Sequence, residues 1–336
     1  MSFRKLLITG GLGFIGSNFI RYLLSRYTDI SVTNFDALTY AGNPDNLQDF
    51  ESDSRYHFVH ADLTDAIRVD REVSKGYDAI VHFAAESHVD RSIADPGRFV
   101  QTNVVGTHHL LEAARKSNIQ RIIHISTDEV YGSLEAHDPA FTELTPLAPN
   151  SPYSASKASS DLLARAAYHT YGLPVIITRC SNNYGPFQYP EKLIPTIITK
   201  AMAGQPIPVY GDGLNVRDWL HVGDHCAAVD LVLHKGAPGE VYNIGGENER
   251  TNLEVVKSIL QTLGKPEGLI TFVNDRLGHD RRYAINASKI KSELGWRPEL
   301  AFDEGIKQTV DWYVRHESWW KAIVARQERI NGKESS

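Results

Sequence analysis

The fold is decided by residues 6–16, which read Leu6-Leu7-Ile8-Thr9-Gly10-Gly11-Leu12-Gly13-Phe14-Ile15-Gly16. A short apolar strand is followed by glycines and then by the start of an amphipathic helix. The glycines satisfy two overlapping spacings, Gly11-x-Gly13-x-x-Gly16 and Gly10-x-x-Gly13-x-x-Gly16. Such glycines permit a tight turn, a close approach of the backbone to a pyrophosphate, and contact between helix and strand. The stretch therefore predicts a Rossmann-type dinucleotide-binding loop.

An acidic residue at the end of the second predicted strand supports this interpretation. Asp36 follows Gly16 by about 20 residues, the spacing at which a carboxylate meets the ribose hydroxyls of a dinucleotide. The same carboxylate would repel a 2′-phosphate, so NAD is favoured over NADP. Asp62 ends the next strand, where it is predicted either to meet the adenine or to cap a helix.

Strand and helix patterns alternate through the first half of the chain, as is typical of βαβ units and a parallel sheet. Strands are predicted at 5–9, 30–35, 56–60, 79–84, 121–126 and 174–179, and amphipathic helices at 14–26, 98–117 and 152–171. After Arg179, prolines and glycines divide the chain into shorter segments. The predicted fold is α/β: a Rossmann-type doubly wound parallel sheet with a smaller C-terminal substrate-binding lobe.

Two domains are predicted. Residues 1–183, with parts of 216–245, form an NAD-binding Rossmann domain. Residues 184–215 and 247–330 form the lobe that covers the crevice of the sheet. Within this division, the apolar segment 218–234 and the strand-like segment 240–244 are expected to return to the main sheet.

Composition excludes several classes of function. The 336 residues carry a net charge of −6, which argues against nucleic acid as a partner. The two cysteines, Cys180 and Cys226, have neither disulfide-framework nor metal-ligand spacing, so no metal site is predicted. No apolar run reaches the roughly 18 residues of a membrane span and no signal peptide is recognisable, so a cytoplasmic enzyme is expected.

The second informative stretch is Thr127-Asp128-Glu129-Val130-Tyr131-Gly132, which closes the predicted strand 121–126. Ligands of open α/β sheets bind beyond the carboxyl ends of the strands, so two adjacent carboxylates are delivered to the crevice. Adjacent strand residues point to opposite faces, so both can enter one pocket only if the strand ends there, and Gly132 permits that turn. Two such groups suit a site that protonates one atom and deprotonates another. The alternative is a pair of helix-capping acids in a polar loop.

Tyr153 and Lys157 are spaced i, i+4 on the helix that Asn150-Ser151-Pro152 opens, so their side chains share one face. A lysine ammonium near a phenol lowers the phenol's pKa, and an oxidised nicotinamide would lower it further. Without such help a tyrosine is a poor base at neutral pH. Tyr-x-x-x-Lys is also a common surface pair, but a preceding nucleotide loop favours the catalytic interpretation.

Together these motifs resemble the extended short-chain dehydrogenase/reductase family, and within it the nucleotide-sugar 4,6-dehydratases. The resemblance covers essentially the whole chain. The matching stretches are Asp36-Ala-Leu-Thr-Tyr-Ala-Gly-Asn43, Ala84-Ala-Glu-Ser-His-Val-Asp-Arg91, Ser126-Thr-Asp-Glu-Val-Tyr-Gly132, Arg179-Cys-Ser-Asn-Asn-Tyr-Gly-Pro186, Pro190-Glu-Lys-Leu-Ile-Pro195, Arg217-Asp-Trp219 and His279-Asp-Arg-Arg282.

The resemblance implies a hydro-lyase that converts dTDP-glucose to dTDP-4-keto-6-deoxy-glucose for the biosynthesis of deoxysugars such as rhamnose. Tyr153 would take the proton of the sugar O4 while NAD oxidises C4. Glu129 would then take the C5 proton and Asp128 would protonate the departing C6 hydroxyl. The hydride would return to C6, and the cofactor would stay bound throughout.

The resemblance also implies the members of each site. The catalytic residues would be Thr127, Asp128, Glu129, Tyr153 and Lys157. The cofactor would contact Gly10, Gly13, Phe14, Ile15, Gly16, Asp36, Leu38, Thr39, Asp62, Leu63, Phe83, Ala84, Ala85, Thr102, Tyr153, Lys157 and Asn182. The substrate would contact Ser87, Thr127, Asn182, Lys192, Leu193, Pro208, Tyr210, Arg217, Asn252, Arg276 and His279, with Pro208 and Tyr210 flanking the pyrimidine.

Three alternatives stay open. The first is a UDP-sugar 4-epimerase or a decarboxylase on the same fold, against which the pair Asp128-Glu129 argues. The second is the same dehydration of UDP-glucose. The third is a non-catalytic member, which would be expected to have lost Tyr153 or Lys157. A homodimer is expected through the helices near 98–117 and 152–171, whose apolar stripes could meet across a two-fold axis.

Overall fold

The computed structural model describes residues 3–275 and 278–334, with side chains described as far as residue 326. In this part of the chain, seven strands form one parallel sheet in the order β10-β6-β5-β4-β1-β2-β3. Their bounds are β1 Lys5–Thr9, β2 Ser31–Asp36, β3 Tyr56–His60, β4 Ala79–His82, β5 Arg121–Thr127, β6 Val175–Cys180 and β10 Val241–Ile244. The order reverses between β1 and β4, which is the doubly wound arrangement. The predicted fold class is therefore confirmed.

Helices cover both faces of this sheet. Helix α1 (Phe14–Arg26) and helix α8 (Val222–Lys235) share one apolar core with the sheet, and α2 (Ala66–Val73), α5 (Thr107–Lys116) and α6 (Pro152–Tyr171) share the other. A parallel sheet buried on both faces is built from nearly continuous apolar strands, and β5 and β6 are buried almost throughout. The predicted return to the main sheet is confirmed for 240–244, which forms β10, and for 222–234, which lies in α8. Residues 218–221 lie instead in a strand, β9 (Val216–His221), of a separate small sheet.

The predicted helix over 98–117 is confirmed, but it contains a π-helical stretch that was not predicted. In the structure α3 (Val89–Ala94) and α4 (Pro96–Phe99) lead into a π-helix (Val100–Gly106), and α5 then follows. Apolar periodicity does not report such a widened turn, because the side chains that hold it contact other elements of the fold.

A second core lies outside the main sheet. Strands β7 (Asn182–Tyr184), β9 (Val216–His221) and β11 (Glu249–Thr251) form a small mixed sheet, and β8 (Ile207–Tyr210) pairs with β12 (Ile270–Val273). Helices α7 (Leu193–Met202), α9 (Asn252–Leu263), α11 (Phe302–Arg315) and α12 (Glu317–Glu334) contribute apolar side chains to this core, and α10 (Ser288–Leu294) packs with the main sheet. We keep the two-domain division as a proposal based on these separate cores.

Among the helices of the described residues, none combines the length and apolar character that crossing a membrane requires.

Candidate active site

A deep cavity lies at the carboxyl ends of β1, β2, β4 and β5, where the sheet order reverses. Its walls come from the glycine loop, the segments that follow β2 and β4, the end of β5, helix α6 and the segment 180–192. All five predicted catalytic residues line it. So do most of the predicted cofactor residues: Gly10, Gly13, Phe14, Ile15, Gly16, Asp36, Thr39, Phe83, Ala84, Ala85, Thr102, Tyr153, Lys157 and Asn182.

The glycine loop leaves no room for side chains. Gly10 has φ +72°, and a Cβ there would lie 2.5 Å from the backbone nitrogen of Ala84. A Cβ on Gly16 would lie 2.3 Å from the carbonyl oxygen of Gly10. Backbone therefore faces the cavity, and α1 begins here with the unpaired N–H groups and the positive dipole end that bind phosphates. The loop fits a dinucleotide.

Asp36 ends β2 in the wall of the same cavity. One carboxylate oxygen accepts a hydrogen bond from the backbone N–H of Leu12 at 2.9 Å, and the other accepts one from Leu38 at 2.8 Å. Burial raises the pKa of this carboxyl, and the two backbone donors oppose that shift. Each oxygen retains a lone pair, so Asp36 can still accept ribose hydroxyls.

The acidic pair stands where the strand ends. Strand β5 stops at Thr127, and a short 3-10 helix over Asp128–Tyr131 follows, with Gly132 at φ 96° behind it. The Thr127 hydroxyl caps this turn by accepting the backbone N–H of Glu129 at 3.3 Å. Because the strand has ended, Asp128 and Glu129 both line the cavity. The prediction that the strand must end for both carboxylates to enter one pocket is confirmed.

Asp128 is the buried member of the pair, with 2% of its surface exposed. Burial is the main cause that raises its pKa well above the usual range, and the charges of Glu129 and Asp218 raise it further. Arg217 and the hydrogen bond from Thr127 oppose these effects. Within the described residues its Oδ2 makes no hydrogen bond. A carboxyl with a raised pKa beside a more exposed carboxyl is suited to act as a general acid.

Tyr153 and Lys157 lie in the first turns of α6, which a capping box between Ser151 and Ser154 starts. Both are buried, and Lys157 donates to the carbonyl oxygen of Ile125 at 2.8 Å. Burial, Glu129 and Cys180 raise the pKa of Tyr153 well above its usual range, although the Thr127 hydroxyl lowers it. The protein's own groups therefore raise this pKa overall, and the lowering by Lys157 stays a prediction. Burial dominates because this face of α6 packs against the sheet.

Comparison with known proteins identifies the family. The profile of the family described as GDP-mannose 4,6 dehydratase matches residues 7–309. A dTDP-glucose 4,6-dehydratase of Xanthomonas campestris pv. campestris (strain B100) is 54% identical over 343 residues, which cover 96% of this chain and 97% of the relative. DesIV, a dTDP-glucose 4,6-dehydratase from Streptomyces venezuelae whose crystal structure contains NAD, superimposes with a TM-score of 0.92 at 51% identity and covers 95% of this chain and 99% of its own. The chain belongs to the dTDP-glucose 4,6-dehydratase family.

A more distant structure separates fold from chemistry. The UDP-glucose 4-epimerase of Thermus thermophilus, solved in complex with NAD, has a TM-score of 0.85 at 31% identity, over 92% of this chain and 99% of its own. The fold is thus shared with enzymes of another activity. Similarity of fold does not decide between these activities, so the residues of the site must decide.

The π-helix is a part of this site that the sequence reasoning missed. Asn103, 1% exposed, accepts the backbone N–H of Glu86 at 2.8 Å and donates to the Glu86 carbonyl at 3.0 Å. It also donates to Ser156, which lies between Tyr153 and Lys157, at 2.8 Å. One side chain thus joins the segment after β4 to helix α6. The widened turn also brings Thr102 to the cavity wall.

A cluster at the mouth of the cavity contains Tyr40, Arg91, Tyr189 and Glu191, which were not predicted as site residues. Arg91 lies 3.7 Å above the ring of Tyr40 and pairs with Glu191 at 3.1 Å, while Tyr189 meets Tyr40 edge to face. Lys192 donates to the Ser87 carbonyl at 2.8 Å. Residues 40, 91 and 191 lie in three of the stretches that carry the family resemblance, but no spacing rule predicts that they are in contact.

Three predicted cofactor residues do not line the cavity. Asp62 accepts the backbone N–H and the hydroxyl of Thr64, so it stabilises a turn, and the cap of α2 is Asp65. Leu63 is buried in the core beneath the π-helix, and Leu38 packs its side chain toward the core of α1 with φ 50°. These three residues are near lining residues in the sequence, but they do not themselves line the cavity.

The predicted substrate residues divide into two groups. Ser87, Thr127, Asn182 and Lys192 line the cavity. Leu193, Pro208, Tyr210, Arg217, Asn252 and His279 lie outside its lining, and Arg276 lies outside the described residues. In the second group, Tyr210 meets His279 edge to face, and Arg217 is buried, donating to the carbonyl oxygen of Asp280 at 2.9 Å.

Proposed function

We propose that this protein is an NAD-dependent hydro-lyase that dehydrates dTDP-glucose to dTDP-4-keto-6-deoxy-glucose. The observation that carries the proposal is the acidic pair at the end of β5, in the same cavity as Tyr153 and Lys157. The names of the relatives support the substrate, and the glycine loop with Asp36 fits the cofactor.

The residues divide the chemistry among them. Tyr153 takes the proton of the sugar O4. Lys157 lies on the same face of α6, where its hydrogen bond to the carbonyl oxygen of Ile125 holds its ammonium group in position. Glu129 takes the C5 proton, and Asp128 gives its proton to the C6 hydroxyl, which departs as water; after hydride return to C6, Glu129 gives the proton back to C5. Thr127 hydrogen-bonds to Asp128 and so fixes that carboxyl. NAD supplies the hydride acceptor and later the hydride donor, and its oxidised form brings a positive charge that favours an ionised phenol.

Two buried polar atoms support a polar ligand in the cavity. Within the described residues, Oδ2 of Asp128 and Oδ1 of Asn182 are buried without a hydrogen-bond partner, and both residues line the cavity. Buried polar atoms are usually satisfied, and a sugar hydroxyl or a phosphate-linked group can satisfy them. Asn182 lies near the start of the second lobe, where we propose that the diphosphate binds.

The experiment is incubation of the purified chain with dTDP-glucose and, separately, with UDP-glucose. We expect dTDP-glucose to lose one water, visible by mass spectrometry, and to give the alkaline ultraviolet absorbance of a 4-keto sugar. Faster dehydration of UDP-glucose would reassign the nucleotide. A sugar of unchanged mass with inverted C4 would indicate an epimerase, and an unchanged sugar would contradict catalysis.

We further propose that the protein is a cytoplasmic homodimer. Ile93, Val100 and Leu162 are exposed apolar residues on α3, the π-helix and α6, three elements that pack together. A second copy covering this surface would bury them. Leu162→Asp should then give a monomer by light scattering. Ile67→Asp is the matched control, because Ile67 is exposed on α2. A monomeric wild-type chain would contradict the proposed dimer.

The proposed cytoplasmic location is tested separately, by cell fractionation.

A further inference from the structure

The backbone of Leu12, in the middle of the glycine loop, is held through both its N–H and its carbonyl group. Its N–H donates to Asp36 at 2.9 Å. Its carbonyl oxygen accepts the side-chain amide of Asn46 at 2.9 Å and the backbone N–H of Asn43 at 3.0 Å. Because Leu12 stands between Gly11 and Gly13, these bonds set the plane of the loop whose backbone faces the cavity.

Asn46 is the side chain that makes this loop dependent on a distant part of the fold. It lies in the 3-10 helix Pro44–Phe50 and is 1% exposed. Its Oδ1 accepts the indole N–H of Trp319 at 3.0 Å, while its amide group donates to Leu12. The indole can only donate and the carbonyl can only accept, so the two partners allow one orientation of the amide.

Trp319 belongs to α12, the last helix of the second lobe. Its ring packs edge to face against Phe187, Trp312 and Tyr313. Arg21 links this aromatic cluster to Asn46. Its guanidinium lies 4.6 Å from the ring centroid of Phe187, and it donates to the backbone carbonyl oxygen of Asn46 at 2.9 Å. The aromatic cluster thus fixes the indole, the indole fixes the amide, and the amide fixes the glycine loop.

We propose that Asn46, oriented by Trp319, is a positioning residue for the dinucleotide loop, through which the C-terminal helix sets how tightly the cofactor is retained. The proposal rests on the proposed NAD-dependent function. Loss of the indole N–H would leave Oδ1 of Asn46 buried without its donor and free the amide to turn. The carbonyl of Leu12 would then lose one of its two donors, and the loop would hold its ligand less well.

Two adjacent tryptophans allow a matched test. Trp320 also donates its indole N–H, but to the carbonyl oxygen of Tyr313 inside the lobe. Each is replaced by phenylalanine in the full-length chain carrying NAD, and release of the bound cofactor is followed by exchange with isotopically labelled NAD. We expect Trp319→Phe to accelerate exchange about ten-fold. Trp320→Phe should lower the thermal midpoint and leave exchange within about two-fold of wild type.

A double-mutant cycle tests whether Trp319 acts on the glycine loop through Asn46. Asn46→Ala should accelerate exchange at least as much as Trp319→Phe, and adding Trp319→Phe to it should have no further effect, because residues that act through one another are not additive. The KM for NAD should rise while kcat at saturating NAD stays near wild type. If Asn46→Ala does not fold, the two tryptophan variants decide by themselves.

The outcomes separate the two proposals. The positioning role would be overturned by any of three results. These are NAD exchange in Trp319→Phe at the wild-type rate, equal acceleration of exchange by both tryptophan variants, or additive effects in the double variant. A wild-type chain that neither contains NAD nor exchanges it would overturn the proposed function, and this inference with it.

Discussion

The ends of the sheet strands and the second lobe hold their functional side chains in different ways. Asp36 and Thr127 end buried parallel strands, and the acidic pair follows Thr127 directly; the order and direction of the strands place all four at one edge of the sheet. Tyr210 and His279 stand instead on a short strand and a loop of the lobe, and they lie outside the cavity.

Local structure places the first group of residues, and long-range packing places the second. A strand that is buried on both faces has a fixed position, so the side chains at its carboxyl end lie at the crevice of the sheet. A lobe residue depends on packing between segments far apart in the chain, such as Phe187 against Trp312 and Trp319. We therefore expect changes at the end of β5 to affect the chemical steps, and changes at Asp36 or in the lobe to affect binding alone.

The largest effect is expected at Tyr153. Tyr153→Phe removes the acceptor of the O4 proton but keeps the ring, so turnover should fall by about 10³–10⁴-fold while nucleotide-sugar binding changes little. Single-turnover absorbance of the reduced cofactor measures the first oxidation. The comparison would break if that oxidation ran at the wild-type rate, or if the variant lost substrate binding instead.

The acidic pair should give the next largest effect. Asp128→Asn and Glu129→Gln should each lower kcat by about 10²–10⁴-fold, because oxidation at C4 still proceeds while elimination is slowed. Reduced cofactor should therefore accumulate on the enzyme. In heavy water Asp128→Asn should still exchange the C5 hydrogen with solvent, and Glu129→Gln should not. Equal exchange in both variants would mean that the roles are shared or reversed.

The raised pKa of Asp128 adds a pH dependence. Because Asp128 must be protonated to act as the acid, elimination should proceed below its pKa and slow as the pH rises through it. The pKa is raised chiefly by burial, so this decline falls above the usual range of an aspartic acid. Stopped-flow rates of elimination against pH measure it. An elimination rate that does not fall at high pH would show that Asp128 is not the acid.

A smaller effect is expected at Asp36. Asp36→Ala should weaken NAD binding by about 10–100-fold, the value of one or two charge-assisted hydrogen bonds, and relax discrimination against NADP. Titration of each cofactor measures both changes. Loss of the bond to Leu12 contributes to the result, so Asp36→Asn, which keeps an acceptor, serves as the control. An unchanged preference for NAD would remove Asp36 from the ribose site.

The smallest effect is expected in the lobe. Tyr210→Ala should raise the KM for dTDP-glucose by about 5-fold, the lower end of aromatic stacking on a base, and leave kcat unchanged. Phe272→Ala is the control, because Phe272 is an exposed aromatic side chain on the neighbouring strand β12. A loss in kcat would show that the lobe acts in the chemical steps and would remove the difference between the two regions.

The amino-acid sequence was enough to predict the doubly wound fold, the glycine loop, the place of Asp36 and the end of β5. Each depends on short-range rules: glycine spacing, apolar strands, and a carboxylate placed at a strand end. Helix α6 with Tyr153 and Lys157 also needed only a helix start and an i, i+4 spacing. These rules work because buried parallel strands leave few alternative arrangements.

The remaining features of the site depend on contacts between distant parts of the chain. The π-helix exists where Asn103 bonds to Glu86 and Ser156, and the cluster at the cavity mouth joins residues 40, 91 and 191. The raised pKa of Tyr153 comes from burial and from Glu129, which no spacing reports. Asn46 and Trp319 are 273 positions apart and meet because two cores pack together. Such contacts depend on how the whole chain closes, and a local pattern cannot encode them.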